Sequence, residues 1–418
     1  MSWPEVDFES LFAAPSRNGV YKSKDHHGSG VPIVNMGELF AFNRIGNQPM
    51  SLIRMSDAEM DKSGLIDGDL LFGRRSLVEE GAGKCSIVYK PAGPLTFESS
   101  IIRVRLDRAI ADPEFFFNYF RSPIGRSRIR AIVGGAAVKG IRGSDLKLIK
   151  VHVPPLDEQI AIRQVVALYD DLIATNQRRI ALLEDAARRL YREWFVHLRF
   201  PGHESVPVKD GVPAGWLSLT LGDVCDAVGG GTPSTARPEY WGGDVTWVTP
   251  TDVTRNDCLV MLDSEKKITE AGLANSSAKL VPPETILMTS RASIGFFALM
   301  DKPACTNQGF ISVLPKQDSA RMFLLFNLLD RVEEMIGLAT GATFKELSKK
   351  TFRALPVLWP TDALLKFYED KTYPLIQQVR LIKKQNQELT KARDRLLPKL
   401  MSGQLDVSGI ALPAEVAA

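Results

Sequence analysis

Four cysteines stand in 418 residues, Cys85, Cys225, Cys258 and Cys305, and no two have Cys-x-x-Cys spacing. A structural zinc or a redox dithiol needs that spacing, so neither is expected. The five histidines form no His-Glu-x-x-His, and the adjacent His26 and His27 sit between Asp25 and Gly28 as in a solvated loop. No metal site is expected. No apolar run approaches the roughly 20 residues that span a bilayer. The N-terminal stretch Met1–Ser10 lacks the basic start and apolar core of a secretory signal. These absences lead us to expect a cytoplasmic protein without membrane contact.

Enzyme motifs are scarce as well. Gly229-Gly230-Gly231-Thr232-Pro233 is glycine-rich, but proline follows at once and no Lys-Ser/Thr completes a phosphate loop. Val281-Pro282-Pro283-Glu284 and His152-Val153-Pro154-Pro155 carry neither the amide nor the aromatic residue of an adenine-methyltransferase motif. No helicase box or nuclease cluster can be placed. No catalytic residue is expected, and a self-contained enzyme is disfavoured. A one-sided charge is also missing: 52 basic and 49 acidic residues leave a net +3. The balance is local instead, since residues 121–150 hold eight basic residues against Asp145 alone. Such a field attracts phosphate, although a solvated basic face would look the same.

What is present is a globular composition, 44% hydrophobic and 24% charged, long enough for several cored units. The chain also repeats itself. Gly135-Ala136-Ala137-Val138-Lys139-Gly140-Ile141 stands against Gly341-Ala342-Thr343-Phe344-Lys345-Glu346-Leu347 at an offset of 206 residues. The same offset pairs Val151 with Val357, Pro154 with Pro360 and Leu190 with Leu396. Upstream, Leu70-Leu71-Phe72 matches Ile286-Leu287-Met288, which sets Arg75 opposite Arg291. A period this long excludes a solenoid and points to a duplicated domain-plus-helix unit. Short β-rich runs such as Ser100–Arg105 and Phe310–Leu314, with helical stretches at 113–120 and 320–338, predict α+β domains.

Each copy ends in a heptad seam. Ile162, Val166, Tyr169, Ile173, Asn176, Ile180, Leu183, Ala187, Leu190 and Trp194 are spaced 4, 3, 4, 3 throughout. Tyr368, Thr372, Leu375, Val379, Ile382, Asn386, Leu389, Arg393, Leu396 and Leu400 repeat that spacing. Two such seams predict two long helices packed as an antiparallel coiled coil, against the alternative of two amphipathic helices packed separately. One asparagine lies centrally in each seam, and Asn176 opposite Asn386 would fix the register. That register sets Ile180 against Ile382 and Trp194 against Tyr368, with Tyr169 against Arg393 as its poorest match. Pro374 should start or kink the second helix. The segments are 1–155 and 201–360 as domains, 156–200 and 361–405 as helices, and 406–418 as a tail that looks like the end of a complete chain.

Particular residues resemble a known family. Pro154-Pro155-Leu156-Asp157-Glu158-Gln159 before a heptad helix resembles the domain–helix junction of type I restriction-modification specificity subunits. Leu396-Leu397-Pro398-Lys399-Leu400-Met401-Ser402-Gly403 resembles the end of their second helix. Similar too are Trp216, Leu221-Gly222-Asp223-Val224, Gly230-Gly231-Thr232-Pro233-Ser234, Tyr240-Trp241-Gly242, Val245-Thr246-Trp247, Ser290–Gly295 and Cys305–Gly309. The first half departs from the pattern: it lacks the Gly-Gly-Thr-Pro run, and Val31-Pro32-Ile33 replaces Val245-Thr246-Trp247. The resemblance implies two different target-recognition domains, related by a pseudo-twofold repeat, that read the halves of a split, asymmetric double-stranded DNA site. It implies partners: two adenine-N6 methyltransferase subunits and the restriction subunits. S-adenosylmethionine, ATP and magnesium would belong to those partners, with no cofactor on this chain. It also implies that the helices act as a ruler; at about 1.5 Å per residue the seam from Ile162 to Trp194 is roughly 50 Å long.

Forked donors read base edges and positive charge holds phosphates. The candidate DNA contacts are Arg74 and Arg75, with Arg291 at the equivalent place beside Thr289 and Ser290. Lys139 and Lys345 follow, with Arg142 and Lys349 close by, next to glycines where backbone can approach DNA. Asn307 and Gln308 are candidates for reading adenine. Each is equally readable as an exposed or ion-paired side chain. A coiled-coil scaffold that reads no sequence, or a fragment of a fused restriction-methylation enzyme, are the other readings.

Overall fold

The computed structural model describes residues 3–77, 81–135, 138–341 and 344–407. Ala136, Ala137, Ala342 and Thr343 of the repeated loop, and 408–418 of the expected tail, lie outside the described residues. The chain forms two compact units, Met1–Leu172 with Leu389–Ala418, and Ile173–Glu388. The long helices Leu156–Tyr191 and Asp362–Met401 each contribute residues to both.

In the first unit β1 (Phe12–Asn18), β2 (Arg44–Ile45), β3 (Leu70–Gly73), β4 (Cys85–Val88) and β5 (Ile101–Leu106) form a sheet in the order β1-β5-β3-β4-β2. In the second, β6 (Cys225–Gly229), β7 (Val260–Met261), β8 (Ile286–Thr289), β9 (Phe297–Met300) and β10 (Phe310–Pro315) follow the order β6-β10-β8-β9-β7. The topology is the same, down to the one parallel pair in each sheet, β2 with β4 and β7 with β9. The central strands read as unbroken apolar runs because both faces are covered: every residue of β3 and β8 is buried.

A three-stranded sheet accompanies each. His27–Val34 runs between Ser51–Ile53 and Thr96–Phe97, and Trp241–Val248 between Lys266–Ile268 and Ala304–Thr306. Both central strands bulge at one place: His27 and Val31 share Ile53, and Trp241 and Val245 share Ile268. A glycine at positive φ turns each bulge, Gly28 at +95° and Gly242 at +79°.

The first core is aromatic. Phe8 and Phe72 meet Phe120 edge to face, with ring centroids 4.8 and 5.1 Å apart. Phe120 comes from helix Pro113–Arg121, whose first turn is fixed by Pro113 and by Asp112 accepting from the Phe115 amide at 2.8 Å. In the second core the expected 320–338 helix breaks into Arg321–Asp330 and Val332–Leu338. Arg331 leaves helical geometry at the joint, where its guanidinium donates to the Pro356 carbonyl at 2.8 Å.

The heptad seam faces inward within each unit. In the second unit Asn176 donates to the Asn386 side-chain oxygen at 2.8 Å, and Trp194 packs on Tyr368 at 5.8 Å. The chains there run antiparallel, in the register set by the two asparagines. In the first unit Ile162 and Val166 share a core with Leu397 and Leu400. Arg393 sits at a seam position in that unit and is neutralised by Asp170 at 2.6 Å, which accounts for a charge where an apolar residue belongs. Pro374 does not start the second helix, which begins at Asp362. The cost of an internal proline, about 3 kcal/mol, falls on the exposed face. The opposite face buries Tyr368, Thr372, Ile376 and Val379, and burial at roughly 1.5–3 kcal/mol per large apolar side chain outweighs it.

The domains grip the helices differently. Gln159, fully buried, accepts from the Asp112 amide at 2.8 Å and donates to the Ile110 and Pro154 carbonyls at 3.0 and 2.9 Å. The second unit uses carboxylates. Glu184 accepts from the Leu259 amide at 2.6 Å, and Glu369 from the Met322 amide at 2.8 Å. Burial pushes both carboxyl groups up to about 7.

Candidate nucleic-acid interface

At one end of each five-stranded sheet, three chain segments meet. In the first unit β3 leaves into Arg74, whose amide donates to Ser100 O at 2.8 Å. Ser99 donates to Val20 O at 2.9 Å, which brings in the segment after β1. Ile141 donates to Arg74 O at 3.0 Å, and Gly140 pairs with Arg75. In the second unit Ser290 donates to Gly309 O at 2.8 Å, Leu347 donates to Ser290 O at 2.9 Å, and Glu346 bridges Arg291. Three of these links recur in both ends, with Arg74 in the place of Ser290 and Arg75 in that of Arg291.

The repeated loops also match. Gly135 has φ +101° and Gly341 +131°, and a Cβ at either would lie 2.2 Å from the carbonyl of Val138 or Phe344. Only glycine fits both demands. Gly140 is close-packed as well, since a Cβ there would meet Arg74 O at 2.7 Å, but it lacks the positive φ, and the second unit carries Glu346 at that place.

In the first unit Arg74, Arg75, Lys139 and Arg142 line one concavity of about 380 Å³, with Asp145 on its wall. Much of the basic stretch 121–150 lies elsewhere. Arg128 pairs with Glu5 at 2.6 Å, Lys147 with Glu9 at 3.3 Å and Lys150 with Asp7 at 2.9 Å. Of the eight basic residues in that stretch, Lys139 and Arg142, in and just after the repeated segment, line the concavity.

The second edge holds Arg291, Lys345 and Lys349, all exposed. Thr289 and Ser290 do not join them. Their side chains are 0% and 2% exposed, and the Thr289 hydroxyl accepts from the Phe296 amide at 3.0 Å. They shape the turn and present nothing to a groove, which corrects their place among the DNA contacts. Asn307 Oδ1 accepts from the Gly309 amide at 2.9 Å, and Gln308 Oε1 accepts from the Thr232 hydroxyl at 2.7 Å. In this arrangement neither amide offers both its donor and its acceptor to an adenine edge, so a bidentate adenine contact is not preformed.

The Gly230-Gly231 run has a packing role. A Cβ on Gly230 would meet Thr306 O at 2.2 Å, and one on Gly231 would meet the Ser277 hydroxyl at 2.1 Å. Its counterpart in the first unit is Gly19-Val20-Tyr21. A Cβ on Gly19 would meet Phe97 O at 2.1 Å, and Val20 donates to Phe97 O as Gly231 donates to Thr306 O. This segment escaped the sequence reading because no residue but the glycine is shared. The available signal was Asn18-Gly19 closing an alternating strand. It places Tyr21, 88% exposed, beside the Arg74 edge.

Among the described residues no group of three or more His, Cys, Asp or Glu side chains could hold a metal ion. No described helix is long and apolar enough to cross a membrane. All four thiols are buried, and burial pushes Cys225 to about 12 and Cys258 and Cys305 to about 11, so none is poised as a nucleophile.

The sequence matches the family described as "Type I restriction modification DNA specificity domain" twice, over residues 5–185 and 213–391. The chain belongs to that family. Among its relatives, the MjaIX specificity subunit of Methanocaldococcus jannaschii is 34% identical over 43% of this chain and 42% of that one. The HindI specificity subunit of Haemophilus influenzae is 21% identical over 82% of this chain and 88% of that one. The crystal structure of a type I S subunit from M. genitalium shares the fold, with TM-score 0.55 and 17% identity over 96% of each chain. As a type I specificity subunit the chain serves DNA sequence recognition and is not catalytic.

Proposed function

We propose that the two equivalent sheet ends are the DNA-reading surfaces, each taking one half of a split, asymmetric double-stranded site. The observation that carries this is the coincidence of a duplicated backbone with unlike side chains. Equivalent backbone hydrogen bonds place Arg74, Arg75 and Lys139 in one unit and Ser290, Arg291 and Lys345 in the other, with Arg142 and Lys349 following in each chain segment. A duplicated frame with different contacts reads two different sequences. The long helices set the spacing between half-sites. Four residues inserted into one seam should then lengthen the spacer by one or two base pairs, and an unchanged spacer would count against that role.

In this reading the chain recruits two adenine-N6 methyltransferase subunits and, for cleavage, restriction subunits, and works in the cytoplasm. Those partners hold S-adenosylmethionine, ATP and magnesium, while this chain supplies addressing alone. The test is methylated-adenine mapping in cells that express the methyltransferase subunits with and without this chain. A split motif that appears only with the chain is the expected result. A complex that assembles but methylates nothing new, and whose DNA binding is weak and insensitive to salt, would favour a scaffold.

A further inference from the structure

Glu346 stands where the first unit has glycine. Its backbone is fixed on both sides: it exchanges two hydrogen bonds with Thr340, at 2.8 and 3.1 Å, and bridges Arg291. Its side chain reaches the Arg291 guanidinium at 3.9 Å, with the two groups 49% and 45% exposed. Such an exposed pair adds little to folding. Lys345, Lys349 and Lys350 surround it in sequence, all exposed. A carboxylate among these cations weakens phosphate attraction, so a phosphate-binding edge gains nothing from it.

A base-reading edge does gain. In the major groove guanine offers two acceptors, which suit the arginine fork, while its paired cytosine offers an amino donor, which suits a carboxylate. The acceptors and the donor lie side by side on one base pair, as Arg291 and Glu346 lie side by side on one edge. An A·T pair matches less well: with adenine at the arginine an amino donor meets the guanidinium and an acceptor oxygen meets the carboxylate, and with thymine there the fork finds one acceptor, O4, where guanine offers two.

We infer that Arg291 and Glu346 together read one G·C pair in the second half-site, guanine by Arg291 and cytosine by Glu346. This rests on the sheet ends being the DNA-reading surfaces. It also makes the two units differ in kind. Arg75 faces Gly140 and has no such partner across the strand pair.

The test is methylated-adenine mapping of the whole complex carrying wild-type chain, Glu346→Gln, Glu346→Gly or Arg291→Ala, with melting temperatures as a fold control. The wild type should show one invariant G·C pair in the half-site that the second unit reads. Glu346→Gln should lower the preference at that position alone by about five- to one-hundred-fold. Glu346→Gly, which installs the first unit's residue, should do the same, and Arg291→Ala should affect the same position most. Unchanged base preference in both Glu346 variants overturns the inference. Equal weakening of every position, or a fall in melting temperature that accounts for the loss, also overturns it by making Glu346 structural. If the wild type yields no split motif at all, the proposed function fails and this inference fails with it.

Discussion

The two units share a frame and differ at its edge. Strand order, bulges, turn glycines and the hydrogen bonds that close the sheet ends recur from one to the other. The side chains carried there do not. The first edge gathers Arg74, Arg75, Lys139 and Arg142 around one concavity. The second sets Arg291 against Glu346 and buries the Ser290 that replaces Arg74. The backbone is held by sterics that tolerate only glycine at certain points, while the exposed side chains are free to diverge. Duplication of a reading frame followed by divergence of the letters needs nothing more.

The largest expected effect tests the shared frame. Gly135→Ala and Gly341→Ala each force a side chain onto a carbonyl at positive φ. Each should destabilise its own unit by about 1–3 kcal/mol, measured by melting or denaturant titration. Similar losses would support one frame, whereas a loss in one unit only would break the equivalence. Next in size is the helix register. Asn176→Ala leaves the half-buried Asn386 Oδ1 without its donor and should cost about 1 kcal/mol, while leucine at both positions should cost less. Cysteines at 176 and 386 should crosslink.

A smaller effect sharpens the contrast between edges. Arg75→Ala should lower the salt slope of DNA binding by about one. Arg291→Ala, with Glu346 already beside it, should lower the slope less and change sequence preference more. Equal slopes would make both arginines phosphate contacts.

A further effect concerns pH and bears chiefly on the second unit. Glu184 and Glu369 titrate near 7 when folded, against an ordinary value of 4.5. Their folded values are raised, so their contribution to stability is complete below about 4.5 and is lost as pH climbs to about 7. The Glu184→Gln/Glu369→Gln double variant should flatten that part of the melting profile between pH 5 and 8. The first unit is gripped through the neutral Gln159, and its own carboxyl there, Asp112, is raised by burial too, so a smaller loss in that unit should accompany it.

Much of this was legible in the residues. Heptad spacing gave both helices and their register because burial on a 3.5-residue period leaves few other solutions. Arg75 opposite Arg291 followed from the apolar runs before them, and the backbone hydrogen bonds agree. Three features were not legible. Gly19-Val20-Tyr21 shares only a backbone shape with Gly230-Gly231-Thr232. Thr289 and Ser290 look like hydrogen-bonding groups in sequence, and only the turn toward Phe296 and Gly309 shows them buried. Pro374 carries a local helix-breaking signal that the buried seam on the opposite face overrides.

The most direct test of the account is methylated-adenine mapping with Arg75→Ala and Arg291→Ala side by side, each in the assembled methyltransferase complex. The account predicts that each variant alters one half of the split motif, a different half in each case, and leaves the other intact. If both variants alter the same half, or both weaken the whole motif uniformly, the two sheet ends are not separate readers and the central claim is wrong.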